Sequence, residues 1–148
     1  MSKFEELEKK LAETPDDIDL LIDLGIEYGI SKHFKKAKDT FTRVIELDDK
    51  NVDAHYNLGV LYSKVFFEDV TKEELWEDLT DDEFAFELAT QELTYAINLA
   101  PDFIQAYNDL GILYKIRHID DEAIKLFKKS LEIDPNQEDI KEELEDLI

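Results

Sequence analysis

The chain carries a hydrophobic pattern that recurs with helical spacing. Apolar residues fall at intervals of three and four along most of its 148 residues, which predicts amphipathic helices rather than strands. A Leu-Gly pair occurs three times, at 24–25, 58–59 and 110–111, and a tyrosine follows each glycine three residues later. The sequence therefore predicts an internal repeat, and that repeat decides the fold class.

The intervals between the three glycines are unequal. Gly25 and Gly59 are separated by 34 residues, whereas Gly59 and Gly111 are separated by 52. The second interval is longer by 18 residues, so we expect an insertion between the two helices of the second repeat, at residues 66–83.

The insertion is both acidic and aromatic. It contains two capping-box patterns, Thr71 to Glu74 and Thr80 to Glu83, in which a threonine and a glutamate satisfy free N–H groups at a helix start. These patterns predict a short helix over 72–79 and a further helix from about residue 81. Its aromatic side chains either pack over the end of the hairpin or form a candidate second interaction surface, for which we name Phe66, Phe67 and Trp76.

The second helix of each predicted hairpin also repeats. It has an alanine at 37, 89 and 123, followed four residues later by Phe41, Leu93 or Phe127. A 34-residue helical hairpin with this pattern resembles the tetratricopeptide repeat (TPR). The resemblance implies an all-α helical-hairpin superhelix (α-solenoid) with N- and C-terminal capping helices. We expect one domain, 1–148, made of an N-terminal helix 2–14, repeats 18–51, 52–103 and 104–137, and a capping helix 138–148.

The resemblance also implies that the first helix of each repeat lines a concave groove. Many of the side chains that would face this groove are apolar, and exposed apolar stripes mark interaction surfaces. We expect the groove to bind a hydrophobic or amphipathic peptide segment of a partner protein. The candidate groove residues are Ile22, Ile26, Ile30, Tyr56, Asn57, Val60, Lys64, Asn108, Ile112, Lys115 and Ile116.

Two other occupants of this groove stay open at the level of sequence. The insertion could cover the apolar stripe, or a second copy of the chain could do so in a homo-oligomer. The alternative function is therefore a self-associating structural scaffold.

One TPR ligand class is disfavoured by the residues themselves. Some TPR domains clamp the carboxylate tail of chaperones with lysine, asparagine and arginine side chains. The corresponding positions here hold Ile22, Ile26, Asn57, Gln105 and Asp109, and only the asparagine matches. We therefore expect no binding of such tails.

Charge limits the partners further. The chain has 38 acidic against 17 basic residues, a formal net charge of −21. Nucleic acids and anionic membranes bind through lysine and arginine, so neither is expected as a partner. The charge either steers a basic segment of a protein partner to the surface or serves only solubility. No apolar run approaches the roughly 18 residues of a membrane span, and cysteine is absent, so we expect a cytoplasmic protein.

Nothing in the sequence predicts catalysis. The three histidines, His33, His55 and His118, fall at different repeat positions, and neither a glycine-rich phosphate loop nor a nucleophile elbow is present. We expect no enzyme activity, no cofactor and no metal site. His55 takes a core-type position and is expected to be packed.

Overall fold

The computed structural model describes the backbone of residues 1–67 and 82–148, and the side chains of residues 1–64 and 84–148. Helices are the only regular secondary structure in these ranges, as predicted for an all-α fold. The helices are α1 (Lys3–Glu13), α2 (Ile18–Ile30), α3 (Phe34–Leu47), α4 (Val52–Phe67), α5 (Asp82–Leu99), α6 (Ile104–Ile116), α7 (Asp120–Ile133) and α8 (Glu138–Glu145).

Consecutive helices pack as hairpins, and the hairpins stack along the chain. Helix α2 packs on α3, α4 on α5, and α6 on α7, while α3 contacts α4 and α5 contacts α6 to join successive hairpins. Helices α1 and α8 pack against the two ends of the stack. This is the predicted α-solenoid with a capping helix at each end.

Helix starts follow the capping chemistry of the sequence. The Asp17 carboxylate accepts from the Leu20 N–H (3.1 Å), and the Asn51 side chain accepts from the Ala54 N–H (2.9 Å). Each bond satisfies one of the N–H groups that a helix start leaves free. The first helices α2 and α4 therefore begin where the repeat register places them.

Helices α2 and α6 end in turns of the same type. Lys32 (φ 63°) and His118 (φ 58°) take the left-handed conformation, and the following N–H donates to the Tyr28 or Tyr114 carbonyl at 2.8 Å. This arrangement satisfies carbonyls at the helix end and reverses the chain within a few residues. The turns between α2 and α3 and between α6 and α7 are thus equivalent.

The hairpins close on a glycine of the first helix. A Cβ atom added at Gly25 or Gly111 would lie 2.6 Å from the ring of Phe41 or Phe127. At Gly59 the added atom would lie 2.8 Å from the leucine at the equivalent position of α5. The large side chain of the second helix therefore occupies the space that a side chain at the glycine would need.

The core runs through the stack instead of forming one central layer. One large buried cluster extends from α1 to α6 and includes Phe34, Phe41 and Leu93, each at most 3% exposed. Two smaller clusters lie beside it, one between the first two hairpins and one beneath α8 around Ile140. Each hairpin thus shares its core with the next, as in a repeat array.

Some predicted boundaries differ by a few residues. The N-terminal helix spans Lys3–Glu13 rather than 2–14, and the final helix ends at Glu145 rather than at 148. The second helix of the second hairpin is described from Asp82 onward. The helix predicted over 72–79 lies outside the described residues. Among the helices that are described, none is both long and apolar enough to cross a membrane.

The two glycines of α2 provide a matched test of the helix crossing. Gly29→Ala should raise the free energy of unfolding by about 0.5–1 kcal/mol, because its Cβ meets no atom within 4 Å and alanine favours the helix. Gly25→Ala should lower it by about 1–3 kcal/mol, because the new methyl group collides with Phe41. Urea unfolding followed by circular dichroism measures both, and equal stabilities would refute the close-packing role of Gly25.

Candidate partner-binding face

The first helices of the three hairpins each carry a stripe of four residues at equivalent repeat positions. In each helix the stripe follows i, i+4, i+7 and i+11 spacing, so its members share one side. We call the surface formed by the three stripes the first-helix face. Its members are Asp19, Asp23, Ile26 and Ile30 on α2, Asp53, Asn57, Val60 and Lys64 on α4, and Gln105, Asp109, Ile112 and Ile116 on α6.

An open hollow lies on this face between α2 and α4. Its volume is about 190 Å³, and its lining is mainly apolar. Ile30 is 70% exposed and Ile26 is 36% exposed, while Gly29 between them has no side chain to fill the space. We call this feature the α2–α4 hollow; the residues used below are Ile26, Gly29, Ile30, Asn57, Val60 and Lys64.

The third hairpin presents its part of the face differently. The Asn108 amide donates to Gln137 Oε1 (2.9 Å), and the Ser130 hydroxyl donates to Asn108 Oδ1 (2.5 Å). Ile112 packs on the cluster that contains Ile140 of α8. The C-terminal segment therefore covers this section of α6.

Lys115 also contacts the C-terminal segment. Its amine donates to Glu143 (2.5 Å) and to Asp146 (3.2 Å), and these bonds, above all the one to Glu143, raise the pKa of Lys115 above its usual range. Ile116, at the end of α6, remains 42% exposed. The structure thus brings Ile26, Ile30, Asn57, Val60 and Lys64 together around the hollow and places Asn108, Ile112 and Lys115 against the C-terminal segment.

Ile22 and Tyr56 lie between neighbouring first helices. Ile22 is half-buried against the cluster between the first two hairpins. The ring of Tyr56 packs edge-on against Phe103, with centroids 4.7 Å apart, and its hydroxyl donates to Asp109 Oδ2 at 2.6 Å. Tyr56 therefore connects α4 with α6, and its role in binding a partner stays a prediction.

Asp109 is the residue whose environment the sequence did not reveal. Burial raises the pKa of its carboxyl above the usual range, and the hydrogen bond from Tyr56 opposes this rise. Burial, and then the bond to Asp109, raises the pKa of Tyr56 as well. The sequence identified Asp109 only as a position at which tail-binding TPR domains carry a basic side chain, and the register carries no information about burial.

His55 is packed, as its core position predicted. It is 7% exposed, with Nδ1 2.6 Å from a Glu92 carboxylate oxygen and Nε2 2.8 Å from the Asp49 carbonyl oxygen. A carbonyl only accepts, so Nε2 carries a proton. Across the described side chains, no group of three or more histidine, aspartate and glutamate residues is arranged to hold a metal ion.

The candidate second surface cannot be placed. The side chains of Phe66, Phe67 and Trp76 lie outside those that the structure describes. Their role in binding stays a prediction.

Family models match the chain along much of its length. One model of the tetratricopeptide repeat matches residues 18–51 and 104–137, and a second matches residues 40–72. Together these ranges cover more than half of the 148 residues. The chain belongs to the tetratricopeptide repeat family. No curated protein matches this TPR chain by sequence.

Solved structures show the same fold. The crystal structure of MamA has a TM-score of 0.68 at 23% identity, over 89% of this chain and 67% of that one. The first TPR of Spaghetti (RPAP3), bound to the HSP90 peptide SRMEEVD, gives 0.71 at 20% identity, over 88% and 89%. TTC0263, a thermophilic TPR protein of Thermus thermophilus, gives 0.76 at 17% identity, over 97% and 70%.

The half-buried carboxyl of Asp109 predicts a specific pH dependence. Because its folded pKa is raised, its protonated form favours folding at low pH, and this contribution is lost as the pH rises through the folded pKa. Asp109→Asn should therefore stabilise the protein more at about pH 7 than at about pH 3, where the native carboxyl is already neutral. Thermal melts of both proteins across this range measure the difference.

The exposed Asp39 on α3 supplies the control. Asp39→Asn makes the same chemical change but should give no comparable stabilisation that grows with pH. Tyr56→Phe should instead destabilise the protein most near neutral pH, because the charged Asp109 loses its hydrogen-bond donor. Destabilisation by Asp109→Asn at neutral pH would contradict the assignment.

Proposed function

We propose that this TPR protein is a non-catalytic protein–protein interaction module that binds a peptide segment of a partner on its first-helix face. TPR proteins mediate protein–protein contacts, and the α2–α4 hollow is the observation that supports this site. The hollow is open, apolar and bordered by Ile26 and Ile30, whose exposed surface has no cover among the described residues. The role of adaptor, assembly factor or dedicated chaperone, in the cytoplasm, is part of the proposal.

An aliphatic side chain is the group that suits the hollow best. Burying a leucine or isoleucine side chain contributes about 1.5–3 kcal/mol. Micromolar affinity needs about 8 kcal/mol, so one anchor is not sufficient and neighbouring parts of the segment must also contact the face. Asn57, on the border of the hollow, offers its side-chain oxygen for such a contact.

The acidic peptide bound by the Spaghetti domain is a poor model for this partner. Tail clamps of that kind use basic side chains, and the third-repeat positions here hold Gln105 and Asp109. Lys115, the cation of α6, already binds Glu143 and Asp146. We therefore propose a partner segment that is apolar or basic, and we propose neither a chaperone tail nor a nucleic acid.

Two variants test the hollow as the binding site. Peptides selected from a random phage-displayed library on the native protein should bind at least about tenfold more weakly to Gly29→Leu, whose side chain fills the hollow, and to Ile30→Glu. Fluorescence polarisation with the selected peptides measures this loss, and circular dichroism confirms that the variants are folded.

The matched control is Ile148→Glu. It introduces the same charge at a residue that is 77% exposed, against 70% for Ile30, but lies at the other end of the chain. This variant should bind the peptides like the native protein. Peptides that bind all three variants equally, or a library that yields none, would refute the hollow as a binding site.

Self-association is the competing use of the same surface. Exposed Ile30 and Ile116 could instead be covered by a second copy of the chain. On our proposal, light scattering should give the mass of a monomer across a wide range of concentrations, at low and at high salt. A mass that rises with concentration in the native protein but not in Ile30→Glu would favour the scaffold.

A further inference from the structure

Two carboxylates on the first-helix face are not explained by helix capping. Asp19 and Asp53 lie in the first turns of α2 and α4, where an acidic side chain stabilises the helix through its dipole. Asp23 and Asp109 lie one turn further along α2 and α6, where this effect has largely decayed. Their position on the face therefore needs another reason.

Asp109 has unused capacity to accept hydrogen bonds. Its Oδ2 accepts from the Tyr56 hydroxyl. Its Oδ1 receives no hydrogen bond from any described residue. Every fully buried side-chain oxygen in the described part has a hydrogen-bond partner, so Oδ1, which has none, must be in contact with solvent. A carboxylate has about four acceptor sites, so Asp109 can take a further donor that approaches from the face.

Two lysines, one next to the face and one on it, contact other groups of the chain. The Lys115 amine is held between Glu143 and Asp146 of the C-terminal segment. The Lys64 amine lies over the Phe34 ring, 5.9 Å from its centroid, at the far end of the hollow. Asp23 is exposed and has no ion pair with any described residue. The face carries four carboxylates, Asp19, Asp23, Asp53 and Asp109, against one lysine, Lys64. All four carboxylates lie nearer the helix starts than Lys64 does, so this side of the face is acidic.

Asp109 lies within reach of a peptide that occupies the hollow. Its partner Tyr56 precedes Val60 of the hollow by one helical turn, about 5.4 Å. Neighbouring helix axes are about 8–10 Å apart. An extended chain spans about 3.3 Å per residue, so a group on the peptide about two to four residues from the anchor reaches Asp109.

We propose that Asp109 is a specificity-determining residue of this site: it binds a lysine or arginine side chain that lies about two to four residues from the apolar anchor of the partner segment. Asp23 adds to the negative potential that attracts this cation. The inference rests on the proposed function, since it assumes that a peptide anchor enters the α2–α4 hollow. The occupant is thus a basic-apolar peptide, and an acidic peptide is disfavoured.

A double-mutant design tests the pairing. The probes are synthetic peptides with one leucine in an alanine–serine–glycine background and one lysine, glutamine or glutamate at each spacing from the leucine. Their dissociation constants for the full chain are measured by titration with two-dimensional NMR, which detects weak binding. At the best spacing, the lysine peptide should bind at least about tenfold more tightly than its glutamine match, and the glutamate match more weakly still.

Asp109→Asn should remove most of the preference for lysine and leave the affinity for the glutamine peptide nearly unchanged. A purely structural role of Asp109 would instead weaken all peptides together. Asp23→Asn should reduce the preference by a smaller factor, and the matched control Asp39→Asn on α3 should leave it intact. Raising the ionic strength from about 0.01 M to about 0.15 M, which shortens the Debye length from about 30 Å to about 8 Å, should reduce the preference in the native protein.

The outcomes separate the two proposals. Equal binding of lysine and glutamine peptides, lost in Gly29→Leu, would refute the role of Asp109 and leave the hollow as the binding site. Peptide binding that Gly29→Leu does not change would refute the hollow and this inference together. A preference for glutamate, or no binding of any lysine peptide at millimolar concentration, would also refute the inference.

Discussion

Close approach of the two helices in each hairpin depends on a glycine that faces a large side chain. At Gly25 and Gly111 the facing ring occupies the space of a Cβ atom, and at Gly59 a leucine does so. Glycine is unfavourable inside a helix by about 1 kcal/mol, so close packing has to compensate for it. Because every hairpin closes at the same position, the three first helices present the same side to one surface. The first-helix face is a consequence of this contact.

The repeat register made most of the fold predictable. Helices α2, α4 and α6 begin at the predicted residues 18, 52 and 104, since hydrophobic spacing and capping residues are local signals. Gly29 shows the limit of this reasoning. It lies on the same helix as Gly25, but its importance comes from the absence of a neighbour. The hollow beside it forms where α2 packs next to α4, which the sequence of α2 alone does not show.

Equivalent contacts can also be made by different residues. Tyr107 donates to the Pro101 carbonyl at 2.8 Å, and His55, at the same repeat position, bonds to the Asp49 carbonyl at the same distance. The sequence predicts only that His55 is packed. The structure shows that an imidazole replaces the phenol in this tie to the preceding turn, because both can place a donor six residues back along the chain.

The C-terminal segment around α8 determines which part of α6 is exposed on the first-helix face. Whether α6 is open could not be predicted, because its cover joins Asn108 with Ser130 and Gln137, residues 22 and 29 positions further along the chain. The same segment pairs Lys115, which lies next to the face, with Glu143, while Asp109 keeps one carboxylate oxygen that no described residue donates to. A net charge of −21 does not by itself make a particular surface acidic. Here the face is acidic because its four carboxylates, Asp19, Asp23, Asp53 and Asp109, outnumber its one lysine, Lys64.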